Sequence, residues 1–455
     1  MDLDDSETKE RLRKLGTSRL VDALCTLAKR NEQAADYIAR LVSTPEESAD
    51  RIRSQLDELA NGGYYVGYNE AYGFAGQLED VIEDIRMNIT SPEEGIEALS
   101  AFFEMDQPIL EQCDDSNGAV AEVFRWDAGE AFVQFAKGCK DKDSILERVL
   151  GLYLACDYGV RTVLIERASE FLSKNKLRHL VQRLWECLED TPDDDHRSRH
   201  ALIGIELLAY QMKDPALFEK ARMHGRPKPS AACCLDIAEA YADCHEDDKA
   251  LTWLEQIPEE DHWRRSEQDD LLFAVLKRKG DMKRAEEVAW RIFRRHRTKN
   301  TFDQLVDVAG KRRRKAILLS QVEEILKNGR FSITDAMFLS DMNLNSEAAA
   351  YLVQNATRLD GNDYWSLTPL AERMEKQKQL LAAAAIYRSL LDSILARAQS
   401  KAYQHGAKYL RKLDAMDGRL SSWEPLASHD EYKTTLVRDH RRKWRFWEEY
   451  GERPE

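Results

Sequence analysis

The sequence predicts an all-α protein: an α-solenoid of antiparallel helix pairs, tetratricopeptide-like in the centre and the C-terminal half. Three observations support this fold class. Proline and glycine are scarce, at 11 and 21 of 455 residues, whereas helix-forming residues dominate. Apolar residues recur with helical spacing, and no convincing run alternates as a strand does. Small residues also recur at a fixed distance, as Ala250 and Ala285 show.

Amphipathic stripes and helix-start signals define the first helices. Two stripes with i, i+4, i+7 or i, i+3, i+4, i+7 spacing are Leu20, Leu24, Leu27 and Ala28, and Leu78, Val81, Ile82 and Ile85. The segments STPEE at 43–47 and TSPEE at 90–94 place a hydroxyl before a proline and two acids. That order suits an N-cap, a first helical residue and a favourable dipole interaction. We therefore expect helices to begin at Pro45 and Pro92.

The second half of the chain carries a pattern of paired helices. The stretch IAEAYADCHEDDKALTWLEQIP at 237–258 reads as a helix, a turn at His245 and a second helix. The same pattern recurs with turns at Gly280 and near Lys378. These units resemble tetratricopeptide repeats, although His245 and Lys378 stand where the consensus has glycine. Units of this kind cannot bury their faces alone, so we expect neighbours to share one extended core.

Breaker clusters divide the chain into four predicted regions. The first clusters are NGG at 61–63 and TPDDDHRS at 190–197. The regions are an N-terminal helical segment at 1–61, a helical region at 62–190, tetratricopeptide-like repeats at 191–413, and a C-terminal capping helix with a basic-aromatic tail at 414–455.

Several stretches resemble an uncharacterised bacterial family of helical-repeat proteins, the DUF6880 family. They are LRKLGTSRLVDALCTLAKR at 12–30, GGYYVGYNEAYGFAGQLEDVIEDI at 62–85, EQCDDSNGAVAEVF at 111–124, KYLRKLDAMDGRLSSW at 408–423 and HRRKWRFW at 440–447. Members of this family also occur as the region behind a SWIM-type zinc finger. The resemblance implies a helical fold over nearly the full length and brings no catalytic residues. The C-x-C…C-x-H element of that finger is missing here, so its nucleic-acid role does not carry over.

Bulk composition indicates the compartment and the classes of partner. The formal charge of −15 argues against wholesale binding to nucleic acid or anionic membranes, but not against a local basic patch. The N-terminus lacks the apolar core of a signal peptide, and the longest apolar run, 380–387, is too short to span a membrane. Eight sparse cysteines suit reduced, buried thiols. We expect a cytoplasmic protein.

Three clusters could be mistaken for metal sites. Cys233, Cys234, Cys244 and His245 lack the C-x₂-C spacing of a tetrahedral zinc site, so core packing is the favoured reading. His196 and His200 lie four residues apart without the glutamate of H-E-x-x-H, which favours a solvated helix start. DDSNG at 114–118 lacks calcium-loop spacing, and we expect a tight turn with Asn117 or Gly118 in the left-handed region. No metal and no cofactor is predicted.

Candidate partner-binding residues lie in three segments. The first is an aromatic corner at 62–74, which reads either as packing between helices or as a recognition surface. The second is the basic segment 291–315, which either pairs with acids of the same chain or contacts an external polyanion or acidic protein. The third is the C-terminal basic-aromatic helix. The residues are Tyr64, Tyr65, Tyr68, Tyr72, Arg294, Arg295, Arg312, Arg313, Arg314, Lys315, Arg442, Trp444 and Trp447.

These patterns favour a non-enzymatic scaffold that mediates protein–protein interaction. The alternative is a nucleic-acid-associated protein that uses the basic segment and the C-terminal helix. An enzyme is the third candidate, and it lacks support because no glycine-rich phosphate loop, nucleophile elbow or H-E-x-x-H motif is present. Neither the identity of the partner nor the oligomeric state is indicated.

Overall fold

The computed structural model describes residues 6–42, 45–61, 63, 65–189 and 196–452. Within these ranges the chain forms helices and turns, and its one isolated bridge joins Val66 to Cys113. The predicted all-α class is confirmed. The chain divides into two compact units, Met1–Ile257 and Pro258–Glu455.

The first unit contains sixteen α-helices in its described part. They are α1 (Ser6–Arg13), α2 (Thr17–Ala28), α3 (Glu32–Val42), α4 (Pro45–Asn61), α5 (Ala71–Asn88), α6 (Pro92–Glu104), α7 (Asp106–Glu111), α8 (Ala119–Glu122), α9 (Gly129–Gly138), α10 (Lys142–Leu154), α11 (Thr162–Glu166), α12 (Lys174–Glu189), α13 (His196–Met212), α14 (Pro215–Met223), α15 (Ala231–Asp243) and α16 (Asp247–Leu254). A π-helical turn at Val123–Ala128 joins α8 to α9, and a 3₁₀ turn lies at Ala168–Glu170.

The second unit contains eleven α-helices in its described part. They are α17 (Arg265–Lys279), α18 (Met282–Arg295), α19 (Lys299–Ala309), α20 (Arg314–Lys327), α21 (Ile333–Asp341), α22 (Asn345–Gln354), α23 (Tyr364–Lys376), α24 (Leu380–Ala396), α25 (Tyr403–Asp417), α26 (His429–His440) and α27 (Trp444–Tyr450). Three 3₁₀ turns lie at Lys311–Arg313, Ala356–Arg358 and Ser400–Ala402.

Helices adjacent in sequence form the most extensive contacts within each unit. In the first unit α12 packs against α13 and α15 against α16, and in the second α17 packs against α18 and α24 against both α23 and α25. Both predicted helix starts are confirmed, since α4 begins at Pro45 and α6 at Pro92. The Ser91 hydroxyl accepts a hydrogen bond from the Glu94 amide at 3.3 Å, which satisfies one free donor at the start of α6. Packing of consecutive helix pairs is the arrangement expected of a solenoid.

The turn between paired helices has the same backbone geometry in five places. Its residue adopts a positive φ, between 54° and 75°, at Lys213, His245, Gly280, Asn343 and Lys378. In each case the following amide donates to the carbonyl five residues before it, as Asp281 does to Leu276 at 3.0 Å. This 6→1 bond closes a helix end through one left-handed residue. The turns predicted at His245, Gly280 and Lys378 are therefore present.

Small buried residues follow four of these turns at a constant distance. Ala250, Ala285, Ala348 and Ala383 each stand five residues after the left-handed residue, and none is exposed to solvent. A methyl side chain at that position lets the two helices of a pair approach closely. The unit around Asn343 was not among those expected from the sequence.

Three borders separate the four regions predicted from the sequence. Those near 61 and 190 fall beside residues 62 and 190–195, which lie outside the described residues. The border at 413/414 falls inside α25, because the apolar stripe of that helix continues through Leu413 to Met416. The predicted repeat region, 191–413, extends across the division between the two units. Among the described helices none has the length and apolar character needed to cross a membrane.

Candidate functional site

Three helices of the second unit enclose an apolar cleft of about 780 Å³, here called the aromatic cleft. Each helix contributes one face, since its lining residues recur every three or four positions. The lining residues are Gly361, Tyr364, Trp365, Thr368 and Pro369 beside and within α23, Leu390, Ile394 and Arg397 along and just after α24, and Gln399, Ala402, His405 and Tyr409 before and within α25.

Two aromatic rings stand at the mouth of the aromatic cleft. Tyr364 and Trp365 are 47% and 78% exposed, and their ring centroids lie 5.0 Å apart. Leu390 and Ile394 supply apolar floor contacts from α24. Exposed aromatic side chains beside a concave apolar surface are typical of sites that bind ligands or partners.

Pro369 changes the hydrogen bonding on one wall of the cleft. It is the sixth residue of α23. Proline has no N–H, so the carbonyl of Trp365, four residues earlier, loses its regular helical donor. Both residues line the aromatic cleft. A helix-interior proline costs about 3 kcal/mol relative to alanine.

A polar network around the buried Tyr387 holds the inner end of the cleft in place. Tyr409 stacks on Tyr387 with 5.4 Å between ring centroids. The Tyr387 hydroxyl donates to Glu375 at 2.9 Å, and the Lys412 ammonium reaches the same carboxylate at 2.5 Å. Burial opposes the ionisation of Glu375, but the hydrogen bonds from Lys412 and Tyr387 prevail and lower its pKa. Burial and the neighbouring Glu375 carboxylate raise the pKa of Tyr387, so its hydroxyl remains a donor.

Gly361 sets the position of the loop that leads into α23. A Cβ at this residue would lie 2.1 Å from the carbonyl oxygen of Ser389 and 2.6 Å from the Cβ of Ser393. Only glycine permits this close approach of the loop to α24. The mouth of the aromatic cleft is thus held against α24 by backbone contact.

The aromatic corner predicted from the sequence presents three tyrosines to solvent. Tyr65, Tyr68 and Tyr72 are all exposed, whereas Tyr64 lies outside the described residues. The backbone beneath them is fixed, because Val66 donates to Gln112 at 2.8 Å and accepts from Asp114 at 2.9 Å. The corner is therefore a fixed loop with outward-facing rings.

Five of the ten cations in the basic segment form ion pairs within their own unit. Arg291 and Arg295 both donate to the carboxylate of Asp269, at 2.7 and 2.6 Å, and Asp269 is buried. Arg297 pairs with the buried Asp335 at 2.6 Å. Two charges on one buried carboxylate compensate for its desolvation. This part of the basic segment therefore pairs with acids of the same chain.

The remaining predicted cations of this segment differ in their surroundings. Arg313 pairs with Glu286 at 2.8 Å and Arg314 with Asp303 at 2.6 Å. Arg294 lies over the ring of Trp290, with 5.2 Å to the centroid. Arg312 and Lys315 are exposed, and the described part of the chain shows no ion pair for either.

The C-terminal helix is packed against α25 instead of standing free. Trp447 is 2% exposed, and its indole N–H donates to the carbonyl of His440 at 3.0 Å. Trp447 was predicted as a partner-binding residue. Its side chain is instead buried in the core, because it lies on the apolar face of α27. Trp444 is exposed with Arg445 over its ring at 5.5 Å, and Arg442 is also exposed.

The structure shows the surroundings of the three clusters that could be mistaken for metal sites. Cys233 and Cys234 are buried, and the sulfur of Cys233 lies 3.8 Å from that of Met223. The ring of His200 stacks on Tyr153 at 4.2 Å, while the side chain of His196 lies outside the described residues. In DDSNG, Gly118 has a φ of 77°, as predicted. Over the described ranges, no group of three or more histidine, cysteine or acidic residues is placed to hold a metal ion.

Comparison with known sequences places the chain in a family. The profile of the Family of unknown function (DUF6880) matches residues 5–225 and 220–449, nearly the whole length. The chain belongs to the DUF6880 family. This confirms the resemblance drawn from the sequence, whereas the association with SWIM-type zinc fingers stays a prediction. A search among curated proteins finds no match for this DUF6880 member.

Among solved structures, this DUF6880 chain is similar to one titled "Structure of Naa15/Naa10 bound to HypK-THB". The sequence identity is 14% and the TM-score is 0.38. The match covers 89% of this chain and 61% of the other, so it spans less than two thirds of that protein.

The aromatic cleft of this DUF6880 member was not predicted from its sequence. The signal was nevertheless present in the sequence. Tyr364, Trp365 and Thr368 share one helix face with Pro369, and a proline is unusual inside a helix. Two exposed aromatics at the start of a predicted helix read as ordinary surface residues until α24 and α25 are placed beside them.

Proposed function

We propose that this protein is a non-enzymatic helical scaffold that binds partner proteins through the aromatic cleft. One observation supports this most strongly: Trp365, 78% exposed, stands beside Tyr364 at the mouth of an apolar cavity. Exposed tryptophan and tyrosine at the edge of a concave apolar site supply most of the binding energy in many protein interfaces. The helix pairs that form the walls are, in our interpretation, tetratricopeptide-like.

The chemistry of the cleft agrees with binding more than with catalysis. The Thr368 hydroxyl lies 3.4 Å from the Tyr409 hydroxyl. His405 is exposed at the rim. A nucleophile would need an adjacent base to be activated, and among the described hydrogen bonds none joins Thr368 to a histidine or an acid. We also propose that the protein is cytoplasmic. The aromatic corner at 62–74 is a second proposed contact surface.

The nucleic-acid alternative has weaker support. Five arginines of the basic segment form ion pairs within the second unit, so much of its charge is already neutralised locally. They are Arg291, Arg295, Arg297, Arg313 and Arg314. Trp447, which would have supplied base stacking, is buried.

The proposal is tested by affinity capture with the full chain as bait. We expect proteins captured from lysate of the native host to survive nuclease treatment and to be lost with Trp365→Ala. Trp126→Ala is the matched control, because Trp126 is another exposed tryptophan, in the first unit. Capture that requires intact nucleic acid, or that is equal for both variants, would contradict the proposal.

A further inference from the structure

The charges around the aromatic cleft indicate what kind of segment it accepts. Its lining contains Arg397 and His405 and no acid, although the chain as a whole carries −15. Arg397 is exposed, and its Nε donates to the carbonyl of Ser393 at 3.3 Å. No carboxylate in the described part of the chain forms an ion pair with this guanidinium, so its terminal N–H groups are free to meet one from outside.

Two acids line the neighbouring cavity, which shares Gly361 and Arg397 with the aromatic cleft. Both already have partners. Asp360 accepts from the side-chain amide of Asn362 at 2.7 Å, and Asp392 accepts from the hydroxyl of Tyr432 at 2.7 Å. Their hydrogen bonds direct them to other groups, and Arg397 remains the charge at the junction of the two cavities.

The wall of the cleft offers further contacts. Tyr364 and Trp365 offer aromatic area at its mouth, and Leu390 and Ile394 offer apolar area on its floor. An apolar floor, an aromatic mouth and an unpaired arginine complement a segment with a bulky apolar side chain and a nearby carboxylate. Arginine binds carboxylates through its planar fork of donors, which gives direction to the contact.

We propose that the aromatic cleft binds an internal acidic segment of a partner protein, in which one bulky apolar side chain fills the cleft and a neighbouring Asp or Glu pairs with Arg397. This rests on the proposed function and adds the chemistry of the partner. The apolar side chain provides the affinity, whereas the carboxylate selects the partner and sets its direction.

The experiment is selection from a random peptide library displayed on phage, with the full-length protein as target and Trp365→Ala for counter-selection. We expect enriched peptides to pair a bulky apolar residue with Asp or Glu a few positions away. Representative peptides are then synthesised with amidated C-termini, which excludes capture of a terminal carboxylate. Affinity is measured by fluorescence anisotropy.

Three variants separate the contributions to binding. Trp365→Ala should weaken binding at least about thirtyfold, since truncation of an aromatic hot-spot residue costs about 2 kcal/mol or more. Arg397→Gln should weaken it about threefold to fivefold, as for an exposed ion pair. Arg397→Glu should weaken it further and should prefer peptides in which the acid is replaced by lysine. Arg330→Glu, also an exposed arginine but outside the cleft lining, should leave binding unchanged.

Each alternative outcome has a defined meaning. Peptides that need Trp365 but carry no acid, or basic peptides, would overturn the acidic-segment proposal while leaving the scaffold proposal standing. Failure to enrich any Trp365-dependent peptide would overturn both. A concentration-dependent increase in mass that Trp365→Ala abolishes would show that a second copy occupies the cleft, which also overturns the proposal. Circular dichroism confirms that each variant is folded.

Discussion

At the scale of single residues, the buried pair of Asp106 and Arg161 tests the core of the first unit. The guanidinium donates to both carboxylate oxygens, at 2.9 and 2.5 Å, and both side chains are almost fully buried. Removing the carboxylate leaves an uncompensated buried charge. We expect Asp106→Ala to lower the free energy of unfolding by about 3–5 kcal/mol, measured by urea denaturation.

The exposed pair of Lys137 and Glu170 in the same unit is the control. Its N–O distance is 3.1 Å, and the two side chains are 52% and 36% exposed. Because solvent screens such a pair, Lys137→Gln should change the free energy of unfolding by less than about 1 kcal/mol. Equal losses of unfolding free energy in Asp106→Ala and Lys137→Gln would show that burial does not strengthen the contribution of Asp106 to stability.

A second residue-scale prediction concerns the eight cysteines. Cys25 is exposed, Cys187 and Cys244 are half-buried, and the other five are buried. Burial, assisted by Asp115 and Asp114, raises the pKa of Cys113 to about 11, so little reactive thiolate forms near pH 8. In a thiol-labelling assay on the native protein we expect one fast equivalent, which Cys25→Ser removes. Two or more fast equivalents would contradict the burial pattern.

The burial of a residue could be predicted where it depends only on the neighbouring sequence, whereas its distant contact partners could not. The burial of Cys234 follows from its place on an apolar helix face. The partners of Arg295 and Arg313 could not be predicted, because Asp269 and Glu286 reach them only after helices pack. For the same reason the sequence left the basic segment open between internal pairing and contact with an external partner.

At the scale of helices, Ala285 tests the close crossing within a pair. It is fully buried in α18, five residues after the left-handed Gly280. Ala285→Trp should overpack this crossing and lower the free energy of unfolding by about 1–3 kcal/mol or more. Met282→Trp, on the same helix but 47% exposed, should change it by less than about 0.5 kcal/mol. Thermal and urea denaturation both measure the difference, and equal stability of the variants would refute the crossing.

The turn residues give a prediction of opposite sign. His245 is exposed and has a φ of 59°, a conformation that costs a side-chain-bearing residue about 1–2 kcal/mol. Glycine avoids this strain but has more freedom in the unfolded chain, which offsets part of the gain. We expect His245→Gly to raise the free energy of unfolding by up to about 1 kcal/mol. Gly280→Val should lower it, since a β-branched residue fits this conformation poorly. A destabilised His245→Gly variant would show that the imidazole contributes more than the strain costs.

Helices with sequence-local signals could be predicted, and those set by tertiary packing could not. Pro45 and Pro92 mark helix starts through capping chemistry that acts within one turn. The turn at Asn343 lies 35 residues before the turn at Lys378, but α19 and α20 lie between it and the turn at Gly280, so the series of repeats is interrupted there. The π-helical turn at Val123–Ala128 has no comparable local signal, since its extra residue is accommodated only in the packed core.

At the scale of the whole molecule, the division into two units was not predicted. The border lies between Ile257 and Pro258, within a sequence that reads as one more turn between repeats. Breaker residues mark where helices end, but they do not show which helices share a core. That distinction depends on contacts between residues far apart in sequence, and it is therefore absent from a local reading of composition.

The overall charge leads to the last prediction, which concerns nucleic acid. A net charge of −15 repels polyanions, and half of the cations in the basic segment are paired with acids of their own unit, as Arg291 and Arg295 are with the buried Asp269. Binding to phosphates would require those pairs to break, or would rely on the exposed cations for which the structure describes no ion pair, which include Arg312 and Lys315. We expect no sub-micromolar binding to labelled single- or double-stranded oligonucleotides at about 0.15 M salt by fluorescence anisotropy.

Charge reversals distinguish internal pairing from phosphate contact in the same assay. Arg313→Glu removes the ion pair with Glu286 and should lower the free energy of unfolding by less than about 1 kcal/mol, because the guanidinium is half exposed. Arg312→Glu combined with Lys315→Glu should leave stability unchanged. If the wild type instead binds tightly, loses affinity steeply with added salt and loses it again in that double variant, these two exposed cations contact phosphates and the nucleic-acid reading replaces the scaffold.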